Sequence, residues 1–364
     1  MIVYADNNLK KEVERIWRIS FPDDSYDFTD FYFRTKYKNE NTLIWMENGK
    51  AAACLQMLPY TFTYYNQLIP IAYISGAATL PEFRNKGIMK KLLTHAYYEM
   101  LKKDIPLSIL IPQEPWLVDF YERLGYTNSF MYTSEKFQTK SNYKPCDTYN
   151  IEEINDNNKH DAYRFYANYF VKENLCLQKS KNDFDALIEL YQLENGRIFL
   201  ALSQQNIHGI CFTNPMDNQI IIKDCVGTHA KVKSSLLQHV AITYFPKEIS
   251  IQSEGNDEKN NITKGMARVI DTEKMLKLFA NAHKNLTFEF DLHDPQLIEN
   301  QVRYRIENGV YKKTAIETNF DSDRRNTINI NLLTRLLLGY KINDLDAVYH
   351  HFPCKYPYMS LMMD

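Results

Sequence analysis

Arg84, Lys86 and Gly87 fall within four residues of one another in the stretch "LPEFRNKGIMKKLL" (80–93), where an apolar run gives way to an amphipathic one. A helix that starts at Gly87 leaves its first backbone N–H groups unpaired and carries partial positive charge at that end. Together these properties make an anion site suited above all to phosphate. Gly87 has no Cβ, so the main chain can come close to a ligand, and Arg84 and Lys86 bring charge to the same place. A bare Arg-x-x-Gly also has a plainer explanation, a capped turn with two solvated cations. The elements around it must decide.

Other reactive residue types are less suggestive. The six cysteines (Cys54, Cys146, Cys176, Cys211, Cys225, Cys354) include no pair at the two-residue spacing of a zinc or redox motif. They are expected to be buried free thiols of a reducing cytosol. His350-His351 has no third ligand in view, so no metal site is expected.

The elements that must hold the 84–87 loop are legible. "KKEVERIWRISF" spaces Val13, Ile16, Trp17 and Ile19 for one helical face. "TLIWMENGKAAACLQML" reads as a hairpin turning at Asn48-Gly49, and "TFTYYNQLIPIAYISGAAT" as two further strands around Asn66-Gln67. A helix follows from Gly87 to Lys103 with an apolar stripe, then the short buried strand "PLSILIP". A second helix opens at Pro115 and stops at Gly125, with Leu117, Phe120, Tyr121 and Leu124 on one face. The order hairpin–strand–helix–strand recurs weakly between about 149 and 279, in elements but not in residues. From about 286 onward, strands around Asn308-Gly309 and the short helix "NLLTRLLLGY" suggest a small third sheet.

The bulk properties set limits. A chain of 364 residues suits two or three domains, and 45% hydrophobic residues can fill several cores. The formal net charge of −2, without a long basic block, argues against general binding to nucleic acid or a membrane surface. The opening "MIVYADNNLKKEVERIW" lacks the apolar core of a secretion signal, and no run approaches the ~20 apolar residues of a spanning helix. A cytoplasmic location is the expectation.

Strand, Arg84-Asn85-Lys86-Gly87, helix, strand, then a helix carrying "FYERLGY" resembles the GNAT superfamily of N-acetyltransferases; residues 79–124 carry the similarity. In that superfamily an Arg/Gln-x-x-Gly-x-Gly/Ala loop holds the pyrophosphate of acetyl-coenzyme A. The resemblance therefore assigns Arg84, Asn85, Lys86, Gly87, Ile88 and Met89 to the cofactor. Met89 departs from the small residue of the motif; the helical phase puts it on the inward stripe, away from the ligand. The whole chain resembles the enhanced-intracellular-survival (Eis-like) acetyltransferases through "ISGAATLPEFRNKGIMKKLL", "GMARVID" (265–271) and "FPCKYPYMSLMMD". That family tolerates a bulky residue at the Met89 position. The implied fold is α/β (α+β): a GNAT domain over 1–140, a second, degenerate GNAT-like domain over 141–284, and a short sterol-carrier-like domain over 285–364. The second unit follows "IIIKDCVGT" with "HAKVKSSLL", without Arg-x-x-Gly, so it is not expected to hold coenzyme A.

The same resemblance implies site residues. Main-chain groups of Ala77, Ala78 and Thr79 would meet the thioester where the core strand bends away from its neighbour. Tyr121 would be the general acid for the leaving thiolate, with Tyr126 a competitor for the role. The free carboxylate of the terminal residue, Asp364, would act as base. Asp23, Asp24 and Asp27, with Asp30 beside them in "FPDDSYDFTDFYF", would border the acceptor cavity, or form an ordinary solvated loop. The acceptor would be a small-molecule or peptide amine, and hexamers are the implied assembly.

Two other readings compete. A degenerate acetyltransferase could sense acyl-coenzyme A, or its third domain could carry a lipid; Met89 is the feature pointing there. A peptidoglycan-type aminoacyl transferase also uses paired GNAT folds, but would use charged tRNA and call for basic surface. The −2 balance and the intact 84–87 loop oppose that.

Overall fold

In the computed structural model, the described residues are 1–138, 148–216, 219–246, 248–255, 261–315, 326–359 and 361–362. They divide into two compact units: Met1–Phe130 with Lys264–Pro357, and Met131–Thr263 with Tyr358–Asp364. The fold is mixed α/β with a second, small sheet.

The first unit begins with β1 (Ile2–Tyr4), α1 (Lys10–Ser20) and α2 (Tyr26–Thr35). Val13, Ile16 and Trp17 of α1 are buried as its periodicity requires, but Ile19 is 45% exposed and lies off that face. Ser25 caps α2 by accepting from the Phe28 N–H. An antiparallel meander follows: β2 (Thr42–Glu47), β3 (Lys50–Tyr64) and β4 (Gln67–Thr79). Asn48 and Gly49, both at positive φ, make the first turn as expected. The second falls at Tyr65-Asn66, also at positive φ, one residue before the Asn66-Gln67 expected. β3 is thus a single 15-residue strand shared by both hairpins. Then come α3 (Ile88–Lys102), β5 (Leu107–Leu110), α4 (Pro115–Glu122) and β6 (Thr127–Gln138). β5 lies parallel to β4, so α3 is the crossover, and the stripe Leu92, Leu93, Ala96, Met100 packs onto the sheet.

The second unit holds β7 (Asn150–Glu153), α5 (Lys159–Phe170), the two-residue β8 (Leu177–Gln178), α6 (Lys181–Leu193), β9 (Arg197–Ser203), β10 (Asn206–Met216), β11 (Gln219–Gly227), α7 (Ala230–Tyr244) and β12 (Glu248–Glu254). Its strands run β6-β12-β11-β10-β9-β7, with β11 and β12 parallel around α7. That order repeats the meander-then-crossover of the first unit. The tail segment belongs here. Tyr358 donates to the Leu175 carbonyl (2.9 Å) and accepts from the Leu177 N–H (3.0 Å), and its ring stacks on Phe170. Tyr358, Met359, Leu361 and Met362 are buried.

The chain then returns to the first unit. β13 (Asn261–Val269) pairs antiparallel with β5 through Met266–Val269, extending the amino-terminal sheet. After α8 (Thr272–Ala282), a small sheet of order β16-β15-β14-β17 forms from β14 (Phe288–His293), β15 (Arg303–Glu307), β16 (Val310–Thr314) and β17 (Thr327–Asn329). Asn308-Gly309 makes its expected turn, and α9 (Ile330–Leu338) ends on Gly339 in the left-handed conformation. Thr94 of α3 donates to Gln296 (2.9 Å) and Tyr64 to the Leu337 carbonyl (3.1 Å), so this small sheet and α9 pack within the same unit as the loop at 84–87.

Candidate active site

The site begins where β4 leaves β5. Their pairing stops at Tyr73 opposite Ile109, yet β4 continues to Thr79. At the same place β4 carries a bulge: Ser75 faces Gln56 and Ala78 faces Cys54, so one residue of β3 stands against both Gly76 and Ala77. Gly76 has φ +56, and a Cβ there would lie 2.5 Å from the Trp17 ring. Conformation and packing both demand glycine, and the bend follows.

Beyond the bulge, the Leu80 N–H donates to the Ala52 carbonyl (3.0 Å). Alternation along the strand then turns the main chain of Ala78 toward β3, and that of Ala77 and Thr79 toward the side β5 no longer covers. The Thr79 carbonyl accepts from Arg84 Nε (3.0 Å), tying the loop to the strand end.

The loop itself is exposed from Arg84 to Gly87. Asn85 has φ +61 and Gly87 φ +70. A Cβ on Gly87 would meet nothing within 4 Å, so glycine serves the backbone conformation and leaves open space in front of α3. That helix start is bare: no side chain caps it and its first turn has no acidic residue, whereas Ser25, Asp271 and Asn329 cap α2, α8 and α9. Lys86, Lys90 and Lys91 surround it. Unpaired N–H groups, helix polarity and cations coincide, which suits the pyrophosphate of a nucleotide cofactor. Ile88 is buried and Met89 is partly buried against the core, so neither long side chain crowds the open side.

Two tyrosines are separated by their surroundings. Tyr126 is fully buried and its hydroxyl is 2.7 Å from Ser108 Oγ. Burial pushes its pKa up to about 12 against the opposing pull of Ser108 and Arg268. Tyr121 is 7% exposed on α4, edge-on to Tyr126 at 5.7 Å, and its hydroxyl has no hydrogen-bond partner among the described residues. Burial, helped by Tyr126, raises its pKa well above the ordinary phenol value, so it stays protonated.

The sequence did not reveal what holds α4 in place. Its end offers orphan carbonyls, and residues from the far end of the chain satisfy them. Arg268 Nη1 donates to the Leu124 carbonyl (3.0 Å). Asn331 Nδ2 donates to the carbonyls of Glu122 (2.9 Å) and Tyr126 (2.6 Å). Arg268 is fully buried, pairs through Nη2 with both oxygens of buried Asp294 (2.8 and 2.9 Å), and lies over the Tyr97 ring at 4.5 Å. A buried charge is costly unless it is paired; Asp294 also accepts from Gln296 N, Leu297 N and Asn300 Nδ2, whereas Arg268 Nε is buried without a hydrogen-bond partner among the described residues. An arginine set among the apolar residues of "GMARVI" was the one available signal.

The acidic residues divide. Asp24 is half-buried and accepts from Trp17 Nε1 (2.7 Å), and Trp17 is the ring that Gly76 makes room for. Burial raises the Asp24 pKa, Trp17 opposes this and Asp23 adds to it. Asp23 and Asp27 are exposed, Asp27 in the first turn of α2, and Asp30 pairs with Arg18 (2.8 Å). Asp24 is thus joined through Trp17 to the bulge beside Ala77. Asp364 lies outside the described residues. Among those described, no three His, Cys, Asp or Glu side chains are grouped to hold a metal, and no helix is long and apolar enough to cross a membrane.

Comparison with known proteins agrees with this geometry. Residues 4–128 match the family described as an acetyltransferase (GNAT) domain. No curated protein sequence matches the chain. Among solved structures, a GCN5-related N-acetyltransferase of Anabaena variabilis is similar at TM-score 0.77 and 18% identity, covering 96% of this chain and 92% of its own. A conserved Enterococcus faecalis protein of unknown function gives TM-score 0.79 at 13% identity over 96% and 92%. Eis1 from Mycobacterium abscessus gives TM-score 0.71 at 13% identity over 93% and 90%. At such identities the likeness is one of fold. The chain carries a GNAT acetyltransferase fold.

Proposed function

We propose that the protein is an N-acetyltransferase that moves the acetyl group of acetyl-coenzyme A to a cationic amine. The observation that carries this is the bare, cation-flanked start of α3 set beside the end of β4, which runs on to Thr79 after its pairing with β5 has stopped at Tyr73. The residues present fit the cofactor: Gly87 faces open space, and Arg84, Lys86 and Lys90 supply charge for a diphosphate.

In this reading the main chain from Arg84 to Met89 holds the diphosphate. The outward N–H groups of Ala77 and Thr79 orient and polarise the thioester carbonyl. Ala78, turned toward β3, contributes shape alone. Tyr121 donates a hydrogen bond to the departing sulfur. Its raised pKa makes full proton transfer to a thiolate (thiol pKa ~8.5) uphill, so it stabilises the leaving group without becoming a phenolate. An ammonium has no lone pair, so the amine must lose a proton before attack; the terminal carboxylate of Asp364 is the proposed acceptor. Asp23, Asp24 and Asp27 would attract the cation. Aminoglycosides, polyamines and lysine side chains all satisfy this chemistry. By the same family likeness we propose a sterol-carrier-like origin for residues 285–364, a cytoplasmic setting and a hexameric assembly.

The test is calorimetry with coenzyme A and acetyl-coenzyme A, followed by thiol release with a polyamine, an aminoglycoside and a lysine peptide. Binding plus turnover on one of these supports the enzyme. Tight binding without turnover on any amine favours a non-catalytic acyl-coenzyme A sensor. Absence of binding overturns both.

A further inference from the structure

Cys211 of β10 and Cys225 of β11 stand directly opposite one another. They do so because of a bulge. Between Phe212 and Thr213 the register slips by one, with Lys223 the extra residue on β11. Without that slip Cys211 would face Asp224 and Cys225 would face Ile210. The two thiols would then lie on opposite faces of the sheet. Bulges commonly re-aim a side chain in this way.

The kind of pairing matters as much as the register. The Thr228 N–H donates to the His208 carbonyl (2.9 Å), which makes those two a hydrogen-bonded pair. Counting inward, alternation makes Cys211 and Cys225 a non-hydrogen-bonded pair. In such pairs Cα atoms approach to about 4.5 Å and side chains are at their closest, within the ~4.4–6.8 Å that a disulfide spans. Cys211 is fully buried against α7 residues such as Val232 and Leu236; Cys225 is partly exposed. Both are free thiols. The other paired cysteines differ: Cys54 faces Ala78, and Cys176 bridges to Tyr358.

We infer that Cys211 and Cys225 are a redox-active dithiol that closes to a disulfide by exchange with a low-molecular-weight disulfide such as glutathione disulfide. Cys225, the accessible member, attacks one sulfur of the oxidant as thiolate; its own proton goes to solvent and one glutathione leaves as the thiol. Cys211 then attacks the Cys225 sulfur of the mixed disulfide; its proton passes to the departing sulfur, and the second glutathione leaves as the thiol. Two protein thiols lose two electrons, and one glutathione disulfide becomes two glutathiones. The buried thiol needs no access to solvent, because its target is delivered to the opposite strand position.

The experiment uses the full chain treated with glutathione disulfide until Cys354, which is partly exposed, is modified. Remaining thiols are alkylated and peptides mapped without reduction. The expected product joins Cys211 to Cys225 with the loss of two hydrogens and no retained glutathione at either. Cys211→Ser should trap glutathione on Cys225, and Cys225→Ala should leave Cys211 reduced. The oxidised wild type should also unfold at a higher urea concentration than the reduced form. Two outcomes overturn the inference. In one, both cysteines are fully alkylated while Cys354 carries glutathione. In the other, wild-type Cys225 keeps glutathione and never closes. Neither readout depends on acetyl transfer.

Discussion

The Nη1 atom of Arg268 occupies the space where a side chain on Gly125 would begin: it lies 1.6 Å from the position of a Cβ on that residue. Gly125 also has φ +91, a conformation closed to most other residues. The turn after α4 and the buried ion pair beneath it therefore exist only together. Gly125→Ala should destabilise the protein by about 3 kcal/mol or more, the sum of backbone strain and a displaced buried charge. Urea unfolding measures it. Arg268→Met should cost a similar ~3–5 kcal/mol by leaving Asp294 charged and alone. Adding Asp294→Leu removes the lone charge but strands the donors of Gln296, Leu297 and Asn300, so only part of that loss should return.

Tyr121 and Tyr126 should respond oppositely to loss of their hydroxyls. Tyr121→Phe removes a hydroxyl without a protein partner among the described residues, so stability should change by less than ~0.5 kcal/mol. The rate of thiol release should fall about 10²-fold or more, with affinity for coenzyme A unchanged. Tyr126→Phe strands the Ser108 hydroxyl and should cost roughly 1–2 kcal/mol of stability with a smaller effect on rate. Because burial holds the Tyr121 pKa high, the pH–rate profile should show no alkaline loss attributable to it and should rise as the acceptor amine deprotonates.

Gly87→Ala separates backbone from steric roles. Nothing within 4 Å opposes the added methyl, so the stability cost should be only the ~1–2 kcal/mol of a left-handed alanine. The methyl stands in the open space before α3, so affinity for coenzyme A should fall disproportionately, by about tenfold or more by calorimetry.

Asp24 offers a pH test. Its folded pKa is raised, so the folded state holds its proton more tightly than the unfolded chain does. The group's favourable contribution is complete below the ordinary carboxylate pKa and is lost as pH rises through the raised value. Asp24→Asn keeps an acceptor for Trp17 but cannot ionise. The variant should gain stability relative to wild type as pH rises from about 3 to neutrality, and the gap should close in acid. Urea midpoints across that range decide it, and a gap that widens in acid would refute the assignment.

What the sequence made legible follows physical range. Turns at Asn48-Gly49 and Asn308-Gly309, the start of α3 and the stop at Gly339 depend on a few adjacent residues, and each is where local rules put it. The 84–87 loop was readable for the same reason. Ile19 misled because helical phase alone does not say where a neighbouring element ends. The Tyr65-Asn66 turn slipped by one because an aromatic residue at positive φ is a poor turn signal. Gly76 gave no hint that it answers to Trp17, nor Leu124 that its carbonyl meets Arg268, 144 positions on. The facing cysteines were hidden because a bulge sets their register. Bends, buried charges and bulges are tertiary decisions, and this site is built mostly from them.

The strand at Met266–Val269 that lies along β5 is separated from it in the chain by the whole of 131–263. During synthesis, at roughly 5–20 residues per second, β5 therefore waits on the order of 10–30 s before that neighbour leaves the ribosome. Arg268 arrives on the same strand, so its hydrogen bond to the turn that follows Tyr121 cannot form until then. A nascent amino-terminal lobe is accordingly an unfinished one, and the order of translation delays assembly of the candidate site until most of the polypeptide exists.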